Sequence, residues 1–443
     1  MKNDIGFCKG KLFFLSFISM LCMGSVMQSQ SLGRVGAADI TTTTKAGTVL
    51  MGGGTDVDAA FKWMIQESGG GDFVVIRSTG TNAYNSYIYG LGGANSVETF
   101  LVASVAQAND SNLVQAVRKA EAVFFSGGNQ ADYVNFYKGQ ALGKAIVWLA
   151  NVKKIPIGGT SAGDAIQGKV YYSAVTTSVI SSDVLANPYA DNNDVMYDDF
   201  LQNPFLDNTI CEPHFLTRGR QGRITAFMAR MIQDKGRSNV KGIACDEGTA
   251  VCIDNKGIGM VVGSSKALFI RQYCAGPEIC SSGNPLTWTN GVKVYVVQGD
   301  AVPGTSRFLD LKDWVTGAGG AHEFWTVNNG AITTGQPTGT PASCLITDVN
   351  EVKQANNMEA GNLYFPEDAL LTCTLNMSTS AIINIQIVDI QGRIVYTGLQ
   401  TAAAGRTKLV IPGQRTASGM YVLRLSSGGE NIMKKFILNK NYN

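Results

Sequence analysis

With 443 residues, the chain exceeds an ordinary single domain, so we expect two or three domains and enough interior for a sizeable core. The 36 basic residues nearly cancel the 34 acidic ones, which argues against a nucleic-acid partner recognised through bulk charge. Only 16% of the residues are charged, and the composition is that of a globular protein.

The first 30 residues have the layout of a secretory signal peptide. Lysines precede an apolar run over residues 12–23, which is too short to span a bilayer, and a polar segment follows it. We expect cleavage between about Gly24 and Ser31. No later stretch predicts a transmembrane helix.

Export would allow the cysteines to oxidise. Seven of the nine cysteines remain after cleavage, and this odd number leaves at least one unpaired. Cys274 and Cys280 bracket a Gly-Pro loop and are the best placed for a local disulfide. The sequence has no CxxC pair and only two histidines, His214 and His322, so we predict neither a metal site nor a cofactor.

From Gly47 onwards, short apolar runs alternate with amphipathic segments, a pattern typical of an α/β sheet with mainly parallel strands. Three glycines after Met51 predict a tight turn, since the sequence there has neither a dinucleotide-binding nor a phosphate-loop motif. The first predicted elements are strands over 49–51, 72–76 and 122–125 and helices over 58–66, 111–120 and 130–150.

A second glycine turn, 126–130, precedes the last of these helices. Turns at the carboxyl ends of parallel strands line one edge of a sheet, so we expect the amides of Gly128 and Gln130 to face Ser161 across a crevice. The alternative is a capped helix start without a role in binding.

Residues 153–166 predict a nucleophile elbow, in which a short apolar strand enters a G-x-S-x-G turn and then a helix. Gly159 and Gly163 permit the tight reversal that exposes the hydroxyl of Ser161. The amide of Ala162 would then lie at a helix N-terminus, where it can bind a developing oxyanion. The alternative is a glycine-rich connection in which Ser161 only caps the helix.

The polar, irregular region 171–206 predicts a lid or a substrate-facing loop, and the spacing of its aspartates does not fit a calcium loop.

His214 is a candidate base, because a serine hydrolase needs a base whose pKa lies near neutrality. An amphipathic helix then runs to about Gln233. Asp246 and Glu247 lie in a turn between two short strands, where either carboxylate can orient the imidazole. The alternative is a surface hairpin with two solvated acids.

Three arginines, Arg218, Arg220 and Arg223, follow His214 without an intervening acidic residue. A guanidinium binds a carboxylate through two parallel hydrogen bonds, so this group suits a substrate with free carboxylates. Surface solvation is the alternative.

Residues 328–357 are rich in Gly, Thr, Pro, Asn and Ala and predict a linker. Beyond it, over 358–443, apolar runs separated by glycine-containing turns predict a small C-terminal β-sandwich. The predicted plan is a signal peptide over 1–30, an α/β domain over 40–327, the linker and the sandwich.

The chain resembles the cyanophycinase and dipeptidase E family of serine peptidases, peptidase family S51, over roughly residues 47–325. The resemblance rests on motifs in a fixed order, namely Gly127-Gly128-Asn129-Gln130, Gly159-Thr160-Ser161-Ala162-Gly163, Glu212-Pro213-His214-Phe215, the spaced arginines and Asp246-Glu247. It implies a mainly parallel, flavodoxin-like sheet similar to that of class I glutamine amidotransferases.

The same resemblance implies a role for each motif. Ser161 would be the nucleophile, His214 the base and Glu247 the third member of the triad. The amides of Gly128 and Ala162 would form the oxyanion hole. The remaining motif side chains would line the substrate pocket, namely Gln130, Glu212, Arg218, Arg220 and Arg223.

Two positions depart from the family pattern. Cyanophycinases commonly have Asp-Gln-His-Phe where this chain has Glu212-Pro213-His214-Phe215, and they commonly have Ala where Asp164 follows the elbow. Both positions lie close to the expected pocket, so the resemblance leaves the physiological substrate open.

The final segment resembles the C-terminal sorting domain of the type IX secretion system, with Asp389-Ile390-Gln391-Gly392-Arg393 and Gly419-Met420-Tyr421-Val422-Leu423-Arg424 before a basic end. This implies export through the periplasm and outer membrane, removal of the domain, and a secreted or cell-surface protein. The implied partners are the secretion machinery and a peptide substrate with aspartyl residues; a homodimer is among the assemblies that the sequence leaves open.

The leading hypothesis is an exported serine peptidase that hydrolyses aspartyl or β-aspartyl peptide bonds, β-Asp-Arg among them, through an acyl-enzyme. A second hypothesis is an α/β-hydrolase-like esterase. That fold orders its triad as Ser, acid, His, which would require His322 as the base. A third hypothesis is a catalytically silent surface-binding protein on the same fold.

Overall fold

The computed structural model describes Met1 and residues 30–190, 194–273, 276–336, 352–354, 358–364, 371–389, 393–411, 419–428 and 430–438. Residues 2–29 of the predicted signal peptide and Cys274, one half of the predicted disulfide, therefore lie outside the described residues. Among the described cysteines, Cys211, Cys245, Cys252, Cys280 and Cys373 are buried free thiols. No described helix is both long and apolar enough to cross a membrane.

The helices and strands up to residue 336 alternate along the chain as an α/β protein requires. In chain order they are β1 (Gln30–Gly36), β2 (Gly47–Met51), α1 (Asp58–Glu67), β3 (Asp72–Arg77), α2 (Ala83–Gly90), β4 (Ser96–Leu101), α3 (Val105–Ala108), α4 (Ser111–Lys119), β5 (Ala122–Phe125), α5 (Gln130–Tyr137), α6 (Ala141–Trp148), a π-helical turn (Leu149–Lys153), β6 (Pro156–Thr160), α7 (Ala162–Ala165), β7 (Val170–Tyr172), α8 (Ser181–Ala186), β8 (Val195–Tyr197), β9 (Thr209–Glu212), α9 (Gln221–Lys235), β10 (Lys241–Cys245), β11 (Thr249–Ile253), β12 (Ile258–Gly263), β13 (Lys266–Gln272), β14 (Trp288–Gln298), β15 (Phe308–Asp310), β16 (Gly317–Ala318), β17 (Gly320–Asn328) and β18 (Ala331–Gln336).

The first sheet contains the predicted parallel strands. Its order is β1-β4-β3-β5-β6-β2-β11-β12-β15-β16, and the five neighbours from β4 to β2 are parallel. Helix α1 packs Phe61 and Met64 against one face, with Phe61 4.6 Å from Phe124 between ring centroids. Strands β5 and β6 are buried along their whole length, as expected for parallel strands covered on both faces. The predicted α/β sheet is confirmed.

A second sheet was not anticipated from the sequence. Eight strands form it in the order β18-β17-β14-β13-β10-β9-β7-β8, mostly antiparallel, although β7, β9 and β10 run parallel. An apolar core that includes Leu50, Val251, Ile243 and Phe269 lies between the two sheets. A further core packs α9 against the other face of the second sheet. The site described below therefore lies where two sheets meet.

Two predicted boundaries differ in the structure. The helix expected over 130–150 is interrupted between Tyr137 and Ala141, where Gly139 adopts a φ of +74° that an α-helix does not use. Strand pairing also extends into both ends of the predicted linker 328–357, because β18 pairs with β17 and residues 352–354 pair with a C-terminal strand.

The C-terminal region is a β-sandwich, as predicted. One sheet has the order β19-β26-β25-β22-β23 and the other β20-β21-β24, and residues from both sheets form a common core. The strands are β19 (Val352–Gln354), β20 (Met358–Tyr364), β21 (Leu371–Met377), β22 (Ala381–Asp389), β23 (Ile394–Ala402), β24 (Gly405–Ile411), β25 (Gly419–Ser427) and β26 (Glu430–Leu438).

Candidate active site

Ser161 lies in a strained turn between β6 and α7. Its φ is +54° and its ψ is −116°, a conformation that costs free energy for a residue with a side chain and that is concentrated at functional sites. A Cβ on Gly159 would overlap the carbonyl oxygen of Gly163, and one on Gly163 would overlap that of Phe125. The spacing of the two glycines is therefore a steric requirement of this turn.

The hydroxyl of Ser161 lies 2.7 Å from Nε2 of His214. The Ser161 side chain makes no capping hydrogen bond to α7, so the alternative of a simple helix cap is not the conformation observed. His214 is 6% exposed and has a φ of +48°, and its amide donates to the carbonyl of Gly52 over 2.8 Å. His214, a second residue with a strained backbone, therefore faces Ser161, and the hydrogen bond to Gly52 fixes the backbone of His214.

Glu247 completes a line of three side chains. Its Oε1 lies 2.6 Å from Nδ1 of His214. The topology explains this contact, because His214 follows β9 and Glu247 follows β10, which are adjacent parallel strands whose carboxyl ends lie at one edge. In the tautomer with its proton on Nδ1, the imidazole donates to Glu247 and accepts from Ser161.

Asp246, the other acidic candidate, is occupied elsewhere. One carboxylate oxygen accepts from the amide and hydroxyl of Thr217 over 2.8 and 2.9 Å, and the other accepts from the Ser265 hydroxyl over 2.7 Å. Burial opposes ionisation, but these hydrogen bonds hold the pKa of Asp246 below its ordinary value. Asp246 thus anchors the segment after His214.

The glycine turn after β2 passes directly beside these side chains. A Cβ on Gly53 would lie 2.6 Å from Nε2 of His214, and one on Gly54 would lie 2.9 Å from the Glu247 carboxylate. The carbonyl of Gly53 also accepts from the amide of Gly248 over 3.0 Å. Sequence patterns predicted a tight turn here but contained no signal that the turn packs against His214 and Glu247, because that contact joins distant strands.

The two backbone amides predicted as oxyanion donors belong to Gly128 and Ala162. Ala162 is the first residue of α7, where no preceding helical carbonyl can accept its proton. Gly128 has a φ of +139°, and a Cβ on its neighbour Gly127 would lie 3.3 Å from Cβ of Ser161. Neither the Gly128 nor the Ala162 amide donates to any described residue. Their role as oxyanion donors therefore stays a prediction, with the Gly127–Gly128 turn packed beside Ser161.

The side chain of Gln130 is hydrogen bonded, with Nε2 donating to the carbonyl of Tyr172 over 2.8 Å. The helix that begins at Gln130 is capped by Asn129, whose side chain accepts from the Ala131 amide. The glycine turn before α5 is thus a capped helix start as well as a neighbour of Ser161.

The three arginines are in different environments. Arg223 binds the buried Glu212 carboxylate through Nε over 3.0 Å and through Nη2, and Arg220 donates to the same carboxylate over 2.8 Å. Arg220 also donates to the carbonyl of Pro213 over 3.0 Å. Arg218 has a side chain 52% exposed, with Nε 4.0 Å from Oε1 of Glu247. Two of the guanidiniums are therefore held internally, and the third lies at the surface beside Glu247.

Asp164 is fully buried behind the elbow, and neither carboxylate oxygen has a hydrogen-bond partner. Burial raises the pKa of Asp164 well above its ordinary value, the charge of Glu212 adds to the rise, and Arg220 opposes it.

The electrostatic environment of His214 favours its neutral form. Burial lowers the pKa of His214, the hydrogen bond with Glu247 acts in the opposite direction, and the charges of Arg218 and Arg220 lower it further. A neutral imidazole is the form that can accept a proton from Ser161.

The other histidine and the aspartates of region 171–206 lie apart from this arrangement. His322 packs against Tyr295, with ring centroids 4.7 Å apart and the ring planes tilted by 44°, and burial lowers the pKa of His322 to about 4. Asp194 accepts from the amides of Thr176 and Thr177, and Asp199 accepts from Tyr171 and Lys138. These aspartates stabilise the loop. Asp191 lies outside the described residues.

Comparison with protein families gives two matches. The model of peptidase family S51 matches residues 96–261, which include Ser161, His214 and Glu247. The model of the secretion system C-terminal sorting domain matches residues 366–439. The predicted family resemblances are confirmed. No curated protein matches the chain significantly.

Solved structures give similar proteins at low identity. A peptidase from an acI-B1 Actinobacterium is 16% identical, over 58% of this chain and 96% of its own, with a TM-score of 0.37. A candidate peptidase E from Listeria monocytogenes EGD-e is 17% identical, over 50% and 99%, with a TM-score of 0.32. A DUF3244 family protein from Bacteroides vulgatus ATCC 8482, with an immunoglobulin-like β-sandwich fold, is 14% identical, over 19% and 97%, with a TM-score of 0.15.

Proposed function

We propose that this exported peptidase, with its family S51 region and C-terminal sorting domain, is a serine-type hydrolase with the triad Ser161, His214 and Glu247. The observation that carries the proposal is the continuous hydrogen-bonded line from Ser161 Oγ to His214 Nε2 over 2.7 Å and from His214 Nδ1 to Glu247 over 2.6 Å. The strained φ of Ser161 adds support, because it presents the hydroxyl at the end of a strand.

The proposed reaction proceeds through an acyl-enzyme. Ser161 attacks the scissile carbonyl while Nε2 of His214 takes the hydroxyl proton, and Glu247 stabilises the imidazolium that forms. The amides of Gly128 and Ala162 donate to the oxyanion. His214 then protonates the leaving amine, and a water molecule activated by the same imidazole hydrolyses the ester.

We propose aspartyl or β-aspartyl peptides, β-Asp-Arg among them, as the substrate class. Support comes from Arg218, whose exposed guanidinium beside Glu247 is positioned to bind a free carboxylate. Gln130 and the Glu212–Arg220–Arg223 ion pairs would shape the pocket behind it. The sorting domain supports export of this activity to the cell surface or outside, and we propose the type IX secretion system as the route.

A labelling experiment with the purified chain tests the chemistry. A fluorophosphonate should label Ser161 in the wild type and fail to label the Ser161→Ala and His214→Ala variants, because the hydroxyl is nucleophilic only beside its base. Labelling that persists in Ser161→Ala would place the nucleophile elsewhere. No labelling of the folded wild type would instead favour a silent binding protein.

A substrate panel tests the specificity. We expect hydrolysis of α- or β-aspartyl dipeptides in preference to matched alanyl dipeptides and to simple carboxylic esters. Preference for the esters would favour the esterase hypothesis.

A further inference from the structure

We propose that Asp164 is carried as a neutral carboxylic acid in the folded protein and acts as a positioning residue for His214. The positioning role rests on the proposed function, whereas the protonation of Asp164 in the folded protein does not. Asp164 lies on the first turn of α7, two residues after Ala162, and its side chain is completely buried.

The surroundings of Asp164 explain why it would hold a proton. Glu212 and Cys211 on β9, Cys245 on β10 and Arg220 before α9 are the titratable groups that act on it. Burial also raises the pKa of both thiols well above the ordinary value, so neither thiol carries charge at neutral pH. Arg220 is thus the one cation among these neighbours, and it already donates to Glu212.

Two carboxyl groups that share one environment do not both ionise readily. Glu212 accepts three hydrogen bonds, one from Arg220 and two from Arg223, while both oxygens of Asp164 lack a described donor. The negative charge is therefore stabilised on Glu212, and the proton belongs on Asp164. A buried ionised carboxylate without a partner would carry a large desolvation cost.

The protonation state of Asp164 matters because Arg220 contacts the backbone next to His214. Its guanidinium connects Glu212 to the carbonyl of Pro213, the residue directly before His214. An ionised Asp164 would compete for Arg220 and release the Pro213 carbonyl. It would also put negative charge behind the Ala162 amide, where the oxyanion forms, and so raise the barrier of the proposed reaction.

The test is the pH dependence of the unfolding equilibrium, measured with urea between pH 5 and 8 for the wild type and Asp164→Asn. In this range the folded state would bind one proton at residue 164 that the unfolded state does not, so stability from this group falls as pH rises. The unfolding equilibrium constant of the wild type, divided by that of Asp164→Asn, should therefore rise with pH, by up to tenfold per pH unit as long as Asp164 stays protonated in the folded state. The control is Asp207→Asn, at an aspartate whose side chain is 75% exposed, for which a flat ratio is expected.

A flat ratio for Asp164→Asn would overturn the proposal, whatever the outcome of the activity assays. If the variant does not fold, the wild type alone decides, since ¹³C-labelled aspartate should give one Cγ resonance that stays at its protonated shift through pH 7. Absence of that resonance in the folded protein would also overturn it. For the positioning role, ionisation of Asp164 at high pH should give the wild-type pH profile of kcat/KM an alkaline limb, and Asp164→Asn should move that limb to higher pH while retaining at least a tenth of the wild-type kcat/KM at pH 7. A loss above tenfold at pH 7 in a folded Asp164→Asn protein would show that a charged carboxylate is required.

Discussion

The carboxylate of Glu247, and not that of its chain neighbour Asp246, lies against the imidazole of His214, with 2.6 Å between Oε1 and Nδ1. Asp246 instead binds Thr217 and Ser265. Two adjacent acids at the end of β10 therefore have different structural roles, one facing the candidate base and one anchoring the backbone after it.

The first prediction separates these roles. Glu247→Gln should lower kcat by about three orders of magnitude, because the amide no longer stabilises the imidazolium or its required tautomer. Asp246→Asn should mainly lower the free energy of unfolding, by about 1–3 kcal/mol, since Thr217 and Ser265 lose a charged acceptor. The measurements are steady-state kinetics on an aspartyl dipeptide and urea unfolding. If Asp246→Asn is the crippling change and Glu247→Gln is nearly silent, the assignment of the third triad member is wrong.

The second prediction concerns pH. Because His214 must be neutral to accept the Ser161 proton and burial lowers its pKa, the acidic limb of kcat/KM should lie below the ordinary histidine value of 6.5. Arg218 contributes to this lowering, so Arg218→Gln should move the limb to higher pH, while Arg218→Lys keeps the charge and should leave it in place.

The effect of Arg218 should shrink at high ionic strength, because its side chain is half exposed and salt screens it. An acidic limb that moves to lower pH in Arg218→Gln would contradict the proposed electrostatics. A neutral acyl substrate is preferable for this measurement, since loss of carboxylate binding then does not enter.

The third prediction uses the glycine turn. Gly53→Ala should reduce kcat/KM by about a hundredfold or more, because the new Cβ would lie 2.6 Å from Nε2 of His214 and must displace the ring. Gly92→Ala is the matched control, since Gly92 has a similar φ of +84° and nothing lies within 4 Å of a Cβ there. Full activity in Gly53→Ala would mean that the turn can move away from the imidazole without consequence.

Ser161 and Gly53 differ in how well their structural roles can be predicted from the sequence alone. The elbow is local, so the glycine spacing around Ser161 predicts its geometry directly. The role of Gly53 is not local, because it depends on β2 lying beside the ends of β9 and β10 in a second sheet. Alternating apolar segments predict that strands exist, but they do not tell to which of two packed sheets a strand belongs.

The arginines show the same limit. Their closeness in sequence to His214 predicts a positive group near the base, but the partner of each depends on the burial of Glu212 and on the start of α9. The structure pairs two of the guanidiniums, those of Arg220 and Arg223, with the single buried carboxylate of Glu212.

The fourth prediction concerns the C-terminal region. Deleting residues from about Asn357 onward should leave hydrolysis intact in purified protein and stop export in the native host. Among the described residues, the four cores of the first part contain none beyond Ile332, and the sandwich core contains none before Met358. Separate cores are typical of independently folded domains. A truncated protein that is folded and yet inactive would show that the sandwich contributes to the active site.

The fifth prediction distinguishes the three arginines by their partners. Each is replaced by lysine, and each variant is assayed on a free-carboxylate aspartyl substrate and on its methyl ester. Arg218→Lys should lower kcat/KM for the acid by an amount equivalent to about 1–3 kcal/mol of transition-state stabilisation, and it should leave kcat/KM for the ester little changed. The reason is that only an exposed guanidinium is available to a substrate carboxylate.

Arg223→Lys should instead reduce kcat/KM for both substrates to a similar degree and lower the free energy of unfolding, since lysine cannot reproduce the two-nitrogen contact with the buried Glu212. Arg220→Lys should behave in the same way, because its guanidinium connects Glu212 to the Pro213 carbonyl beside the base. The comparison of acid and ester in one variant cancels effects on folding, so the preference reports carboxylate binding alone. A different result would contradict this assignment, namely that Arg218→Lys keeps the wild-type preference for the acid while Arg220→Lys or Arg223→Lys loses it. In that case an internally paired arginine binds the substrate carboxylate, and Glu212 must release that arginine when the substrate binds.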